Sequence, residues 1–310
     1  MEEVKKQIGS YVSRREKEIA EVEELASDIK AIKDSVKDSK EIHIPLYIEP
    51  EKVTAAAEEL KSFFGTIPEK AILCCSSMAR YVLKLAKLEK VAIITTELQP
   101  NQKLPYFYLA ELNGEKVIII DELQVGEDKY PEFYPVLPLR ALVLSGATQF
   151  FIVSEILSAS PLIKPGEVLL YQNFMPMSPV NPFIGRHVEG WGDRFLDVTA
   201  IFKPEINEAV IKAMKDTMPI ITENVVWVSP KKTYGDKAEI RIGQSLRVPI
   251  ICAKGMVPAL LFHDMKKNFV SIGITQWNLA LKTSLTNDMR KDIASKLIKL
   301  FAVNLSAAKP

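Results

Sequence analysis

The sequence predicts a mixed α/β domain. From residue 41 onward, apolar runs of five to seven residues alternate with longer segments of helical periodicity, a pattern typical of parallel strands joined by helices. The Asn-Gly pair in "LNGEK" (112–116) separates two of the apolar runs and indicates a tight hairpin between antiparallel strands. We therefore expect a mainly parallel central sheet, mixed because of this hairpin and flanked by helices.

The individual elements follow from the periodicity. The predicted strands are 71–76, 91–95, 106–112, 116–121, 149–154, 167–171, 225–229, 248–253 and 269–275. The predicted helices are 51–64, 76–88, 135–145, 204–217, 236–246, 257–267 and 286–306. They belong to one α/β domain that spans residues 41–310, since no repeat or low-complexity linker divides this region.

Residues 1–40 have a different composition and predict a separate N-terminal helical extension. They contain no proline, one glycine and many charges of both signs. Apolar side chains recur at the alternating spacing of three and four that lines one side of a helix. This seam consists of Val22, Leu25, Ile29, Ile32 and Val36. Two alternatives stay open: the seam packs on its own domain, or it binds another protein.

Composition excludes several classes of function. The formal net charge is +1, so nothing in the charge balance indicates a nucleic acid partner. No apolar run approaches the length of a membrane span, and the first residues lack the apolar core of a secretion signal. Cys74, Cys75 and Cys252 lack the spacing of a disulfide framework or a zinc site, and we expect reduced thiols in the cytoplasm.

The sequence carries none of the common cofactor or metal motifs. We find no phosphate loop, no G-x-G-x-x-G and no H-E-x-x-H, so no cofactor and no metal are expected. The three histidines, His43, His187 and His263, have no metal-ligand spacing. The vicinal "CCSS" (74–77) after a strand is either a reactive thiol site or a buried strand end. The second interpretation is favoured because no adjacent cation would lower a thiol pKa.

The stretch "NPFIGRHVEGWGDRF" (181–195) predicts a shaped loop. It holds three glycines, a proline and four charges, and no helical or strand period runs through it. Trp191 is either a platform for a ligand or an aromatic side chain that pins the loop, the commoner case. Asp193 and Arg194 are expected to form local hydrogen bonds that hold the loop.

This loop resembles the N-P-…-G-…-F-G-D-R-F stretch of the trimeric purine nucleoside phosphorylases. The resemblance extends in order over about residues 66–306 at low identity. Its other segments are "LNGEKVIIID" (112–121), "KPGEVLLYQNFMPMSPVNP" (164–182), "AEIRIGQSL" (238–246) and "MVPALLFHDMKKNFVSIGIT" (256–275). Members of that family use phosphate to attack the anomeric carbon of a purine nucleoside. The resemblance therefore implies a site for a dianion, a ribose and a leaving purine.

At the positions that match the family's anion-binding groups, this chain has lost positive charge and gained negative charge. The matching arginine and histidine fall on Leu123 and Val125. The ribose-contacting tyrosine falls on Glu127. The small-residue phosphate segment falls on 153–157, "VSEIL", which places Glu155 where phosphate would bind. The resemblance therefore implies that the phosphate site no longer works.

Other matching positions are altered or retained. In the glycine-rich turn the hydroxyl of Ser76 remains, but its flanking glycines are gone. A Met-Ser pair falls on Lys254 and Gly255, and Lys254 could replace a lost cation. The purine-binding glutamate falls on Gly235, next to Asp236.

The retained side chains are an aromatic residue and an amide at the base, Tyr234 and Asn278, and the loop residue Phe195. In the family that phenylalanine reaches a neighbouring subunit, so Phe195 and Trp191 are expected at a subunit interface. The resemblance implies a homotrimer. Ser76, Tyr234, Asp236, Lys254 and Asn278 are the expected remnants of a ligand site.

These observations predict a catalytically inactive phosphorylase relative with a structural or partner-binding role in a larger assembly. The alternative is a nucleoside- or purine-binding protein, or a diverged phosphorylase, that uses Tyr234, Asp236, Lys254 and Asn278. Other proteins, bound through residues 1–40, are the expected partners.

Overall fold

The structure is a computed structural model. It describes residues 49–75, 77–98, 104–121, 136–177, 181–183, 187–227, 241, 244–246, 248, 250–252 and 254–307. The predicted N-terminal extension (1–40) lies outside the described residues, as does most of the predicted helix 236–246. The division into an extension and a 41–310 domain therefore stays a prediction.

Ten strands form one mixed sheet in the described part of the chain. They are β1 (Lys70–Cys74), β2 (Lys87–Ile93), β3 (Tyr106–Leu112), β4 (Glu115–Asp121), β5 (Gln149–Ser158), β6 (Val168–Pro176), β7 (Ile220–Trp227), β8 (Ile250–Cys252), β9 (Asn268–Asn278) and β10 (Thr283–Ser284). The order across the sheet is β10-β9-β6-β7-β8-β5-β1-β4-β3-β2. Because β9 also pairs with β5, the strands β5, β9, β6, β7 and β8 close a ring.

Within the described residues, six helices flank the sheet, and a short 3₁₀ turn at Leu305–Ala307 follows the last of them. They are α1 (Pro50–Phe64), α2 (Ala79–Leu85), α3 (Val136–Ser145), α4 (Pro204–Met214), α5 (Met256–Asp264) and α6 (Asn287–Phe301). Proline opens α1 and α4 at a position where its missing N–H costs nothing. The Thr286 hydroxyl caps α6 by accepting a hydrogen bond from the Met289 N–H at 3.2 Å. The predicted fold class, a mixed sheet flanked by helices, is confirmed.

Two layers of helices cover the two faces of the sheet. Buried side chains of α1, α3 and α5 share one apolar cluster, and those of α2, α4 and α6 share the other. Neighbouring residues of β5 point to opposite faces of the sheet. The Phe150 ring stacks on Phe262 of α5 with the ring centroids 3.8 Å apart, whereas the Phe151 ring packs against Phe301 of α6 with the centroids 5.6 Å apart. Since β5 is covered on both faces, its residues 150–153, "FFIV", form a continuous apolar run.

The predicted hairpin is present between β3 and β4. Leu112 pairs with Glu115, and the two turn residues, Asn113 and Gly114, have φ angles of 52° and 82°. Positive φ at both central positions is the geometry that an Asn-Gly turn permits, and its twist matches that of the strands. The antiparallel edge β2-β3-β4 therefore follows directly from this dipeptide.

The predicted boundary between the helix 76–88 and the strand that follows it is wrong. The helix predicted over 76–88 ends at Leu85, and residues from Lys87 onward form β2 rather than a last helical turn. "KLEK" is made of good helix formers, but its backbone pairs with β3. Tertiary pairing overrides local propensity there, and the exposed, charged character of the segment suits the sheet's outermost strand.

Four parallel strands bring their carboxyl ends to one edge of the sheet. β1 pairs in parallel with β4 and with β5, and β5 pairs in parallel with β9. Ligands of open α/β sheets bind outside this edge, and the loops after β1 and β5 lie there. We refer to it as the carboxyl edge.

We expect Phe262→Ala to destabilise the domain strongly. Phe262 is fully buried and stacked on Phe150, so truncation leaves a cavity that costs about 3–5 kcal/mol of unfolding free energy. Phe63→Ala is the matched control, since Phe63 is 47% exposed and should cost far less. Urea unfolding followed by circular dichroism measures both. Equal losses would contradict the assignment of Phe262 to the core.

Candidate functional site

A buried ion pair occupies the carboxyl edge. Glu155 lies in β5, and its Oε1 accepts a hydrogen bond from Nε of Arg290, in α6, at 2.8 Å. The Ser77 hydroxyl, just beyond β1, donates to the same carboxylate at 3.0 and 3.2 Å from its two oxygens. The side chains of Arg290 and Glu155 are only 12% and 8% exposed. The ion pair therefore has little access to water, whereas Ser77 beside it is exposed.

This arrangement disfavours an anion at the end of β5. The Glu155 carboxylate is negative, and the nearby guanidinium is already used to neutralise it. Arg290 is also fixed in place, because its Nη1 donates to the carbonyl of Leu285 at 2.9 Å. A phosphate that approached this segment would meet a filled position.

On the other face of β5, Gly255 allows a close approach between chains. Its φ is +94°, and a Cβ built there would lie 2.2 Å from the hydroxyl of Ser154. Any side chain at 255 would collide with β5. The hydroxyls of Ser154, Ser271 and Thr275 are buried and have no hydrogen-bond partner among the described residues. Lys254, which precedes this glycine, is partly buried.

Asn278 ties two segments of the backbone together. Its Nδ2 donates to the carbonyls of Ser160 and Ile163, each at 2.7 Å. Its Oδ1 accepts the Leu281 N–H at 2.7 Å, and the side chain is fully buried. In this structure the amide fixes the loop after β5 to the turn after β9. Its expected contact with a purine stays a prediction.

Several residues singled out from the sequence lie outside the described residues. These are Ser76, Leu123, Val125, Glu127, Tyr234, Gly235 and Asp236. Among the remaining predicted positions, the structure combines Glu155 with Ser77 and places Lys254 and Gly255 at the start of α5. It does not bring Asn278 into hydrogen-bond contact with any of them in the described part of the chain.

The glycine-rich loop is held by a second buried ion pair. Arg140 of α3 donates from Nη1 to the carbonyl of Trp191 at 2.8 Å and from Nη2 to Asp264 of α5 at 3.2 Å. Its guanidinium also lies over the Trp191 ring, 4.6 Å from the ring centroid. Trp191 thus contacts its own domain in the manner of an aromatic that pins a loop. Its expected place at a subunit interface stays a prediction.

Gly192 is required by the same contact. Its φ is +134°, and a Cβ there would lie 1.9 Å from Oδ1 of Asp264. The next residue, Asp193, donates its backbone N–H to the Asp264 carboxyl. Burial raises the pKa of Asp264, and the nearby Arg140 guanidinium opposes that rise. The loop therefore closes directly over the buried carboxyl.

A cleft of about 450 Å³ opens beside this loop. Its walls are Gly190–Asp193, the last residues of α3 and the segment from Asp264 to Lys267. The cleft lies at the C-terminal end of α5, whereas Gly255 and the carboxyl edge lie at its N-terminal end. Phe195, two residues beyond, is 88% exposed, so its side chain projects from a loop with a fixed base.

Sequence reasoning missed Arg140, Asp264 and Arg290. A signal was present for the first two, since each is a lone charge in an otherwise apolar helix, "VLPLRALVLS" and "MVPALLFHD". A charge on such a buried helix needs a partner. Nothing in the sequence distinguishes Arg290 from the other charges of α6.

The two vicinal cysteines form a buried strand end. Cys74 and Cys75 are 0% and 1% exposed. Burial raises the pKa of the Cys74 thiol, and the neighbouring Cys75 and Asp121 add to the rise. This environment disfavours the thiolate. In the described part of the chain no group of three or more His, Cys, Asp or Glu side chains could hold a metal ion. No helix there is long and apolar enough to cross a membrane.

Comparison with known proteins shows the fold. No protein-family model and no curated protein sequence matches the chain. A structure of isoform 2 of purine nucleoside phosphorylase from Schistosoma mansoni, bound to cytosine and ribose-1-phosphate, matches with a TM-score of 0.70 at 15% identity. The match covers 82% of this chain and 94% of that one.

Two further structures match at a TM-score of 0.68, with 14% identity and coverage of 81% of this chain and 95% of theirs. One is a purine nucleoside phosphorylase bound to ribose-1-phosphate, and the other is a Schistosoma mansoni enzyme bound to a monocyclic inhibitor. The chain therefore has the nucleoside phosphorylase fold.

We expect the loop pair to behave as a coupled unit. Arg140→Met leaves the buried Asp264 carboxyl without its cation and should cost about 3–5 kcal/mol of unfolding free energy. The double variant Arg140→Met/Asp264→Asn removes both charges and should lose less than Arg140→Met alone, as urea unfolding would measure.

Asp193→Asn serves as the control for that cycle. Its pair with Lys266 is long, at 3.7 Å, and both side chains are more than half exposed, so the loss should stay within about 1 kcal/mol. If the loss in the double variant equals the sum of the losses in Arg140→Met and Asp264→Asn measured separately, the two buried charges are not coupled.

Proposed function

We propose that this chain is a catalytically inactive relative of the purine nucleoside phosphorylases, with a structural or partner-binding role in a larger assembly. The fold likeness supports the relationship, and the residues at the carboxyl edge support the loss of activity. The observation that carries the proposal is the buried pair between Glu155 and Arg290. It places a neutralised carboxylate in the segment that resembles the family's phosphate-binding stretch.

Phosphorolysis depends on a bound phosphate dianion, so a carboxylate in the phosphate-binding segment should lower its rate. The attacking phosphate needs oriented donors and positive charge. Removing one such contact costs about 3–4 kcal/mol of transition-state stabilisation, which is a factor of roughly 10²–10³ in rate. Leu123 and Val125, at the positions that resemble the arginine and histidine of the family, remove two more. Together these changes leave phosphate without a binding site.

The retained features suit contacts with protein. Phe195 projects from a loop whose base is fixed by Arg140, and an exposed aromatic on a rigid support is a suitable interface anchor. We place Phe195 and Trp191 at the interface of a homotrimer, with residues 1–40 available to hold other proteins. We place the protein in the cytoplasm, with no nucleic acid or membrane among its partners.

We expect the purified protein to release no purine base from inosine or guanosine in the presence of phosphate, because the anion position is filled. Base release is followed by absorbance and chromatography. Asn278→Ala is the control for contamination: intrinsic turnover should respond to this change, whereas a contaminant's turnover would not. Saturable, phosphate-dependent turnover by the wild type that is lost in Asn278→Ala would refute inactivity.

Isothermal titration of the same preparation with nucleosides and bases, with and without phosphate, addresses ligand binding. Saturable binding without turnover would favour a nucleoside- or purine-binding protein over a purely structural one. Tyr234→Ala and Asp236→Ala would then show whether the predicted remnants of the site contact that ligand.

We expect deletion of residues 1–40 to leave the melting temperature of the remaining chain unchanged and to abolish capture of native protein partners. The seam of Val22, Leu25, Ile29, Ile32 and Val36 offers about five aliphatic side chains, each worth roughly 1.5–3 kcal/mol when fully buried. Thermal denaturation and pull-down measure the two effects. A sharp fall in melting temperature would assign the segment to the domain core, and unchanged partners would exclude it as the contact.

A further inference from the structure

The groups around Glu155 have the composition of an oxyanion site. The guanidinium of Arg290 and the hydroxyl of Ser77 come from separate parts of the fold and converge on the same carboxylate. The Ser77 hydroxyl reaches both carboxylate oxygens. A charged guanidinium and a hydroxyl that converge on two oxygens are donors that phosphate, sulfate and carboxylate ions all accept. The occupant here is a side chain of the same protein.

One of the donors, Arg290, is held independently of this occupant. Arg290 Nη1 donates to the Leu285 carbonyl, which fixes the guanidinium against the start of α6. On the same helix, Asn287 accepts a hydrogen bond from Tyr81 at 2.9 Å, and Arg80 donates to that tyrosine hydroxyl at 3.0 Å. These contacts tie α2 to α6. The Arg290 guanidinium should therefore keep its position when Glu155 is shortened.

We propose that Ser77 and Arg290 form an oxyanion site that Glu155 fills permanently, and that removing the Glu155 side chain opens this site to a small inorganic oxyanion such as phosphate. The inference deepens the proposed function, because it identifies the group that closes the end of β5 to anions. Its own support is the geometry of the three side chains.

Energetics favour an anion in the opened site. Without Glu155, a guanidinium that is 12% exposed would lose its counter-ion, and a buried charge without a partner is strongly unfavourable. A tetrahedral oxyanion restores both the charge balance and the acceptor oxygens. A cation would meet the guanidinium, and a neutral molecule would leave its charge unbalanced.

The test compares thermal melting of Glu155→Ala with and without low millimolar phosphate, in chloride buffer of matched ionic strength. Wild-type protein reports the general effect of phosphate on folded proteins, which is subtracted. We expect Glu155→Ala to melt below the wild type and to gain at least about 2–4 °C when phosphate is saturating. Isothermal titration should give one phosphate per chain for the variant and none for the wild type at this site.

Three further variants separate specific binding from a general charge effect. Glu155→Gln removes the charge but keeps the side-chain volume, so it should gain no stability from phosphate. Glu155→Ala/Arg290→Met lacks the cation and should also gain none. Glu115→Ala breaks a carboxylate pair with Lys70 at the amino ends of β1 and β4, far along the strands from the carboxyl edge, and should respond as the wild type does.

A folded Glu155→Ala protein that neither gains stability from phosphate nor binds it would overturn the proposal, as would equal gains in Glu155→Ala and Glu155→Gln. If Glu155→Ala does not fold alone, its refolding yield is measured with and without phosphate. A higher yield with phosphate supports the proposal, and an unchanged yield overturns it. Phosphorolysis by the wild type would instead refute inactivity. That assay uses no Glu155 variant, so the two failures are distinguishable.

Discussion

The pairing of β5 with β9 is the contact on which the rest of the fold depends. The two strands run in parallel from Gln149 opposite Asn268 to Ser158 opposite Asn278, along the whole of β5. β5 also carries β1 on its other side and β8 near its end, while β9 carries β6 and β10. Loss of this ladder would open the ring and leave the short strand β8, which pairs with both β5 and β7, as the link between the two halves of the sheet. Because both faces of β5 are buried, each residue along it has a fixed direction, and Glu155 is held against α6.

Two buried ion pairs hold the segments around the β5–β9 pairing. One acts on a surface loop and the other on the carboxyl edge. The pair between Arg140 and Asp264 shapes a surface loop, since Gly192 fits against the carboxyl only because it has no side chain. The pair between Glu155 and Arg290 closes the carboxyl edge. Replacing either pair with apolar residues of similar volume need not destabilise a protein, so stability alone does not account for them. Their common effect is specificity, because each determines the position of one loop or strand end.

The sequence predicts the pattern of the fold better than its contacts. Alternating apolar runs and helical segments indicate the mixed α/β class, and Asn113-Gly114 marks the hairpin, because both signals are local. The beginning of β2 at Lys87 could not be predicted, since it depends on pairing with β3. The ion pairs join residues 124 and 135 positions apart in the chain, and no local pattern indicates such a partner. For the site, Glu155 could be identified only through the resemblance, and Arg290 not at all.

The hydrogen-bond donors of the carboxyl edge differ from those of an empty ligand site, because they already have acceptors within the chain. In a phosphate site, donors remain unsatisfied until the anion binds, so the empty state carries a desolvation cost that binding relieves. Here the corresponding donors are satisfied by Glu155, and the amide of Asn278 is used by three backbone groups. These groups therefore need no ligand to complete their hydrogen bonds, whereas the buried hydroxyls of Ser154, Ser271 and Thr275 have no partner among the described residues. The apolar group that does face outward, Phe195, lies on the loop held by Arg140. Under the proposed function, donors that already have partners within the chain and an aromatic side chain on a fixed loop suit contact with a protein better than cycling between phosphate-bound and empty states.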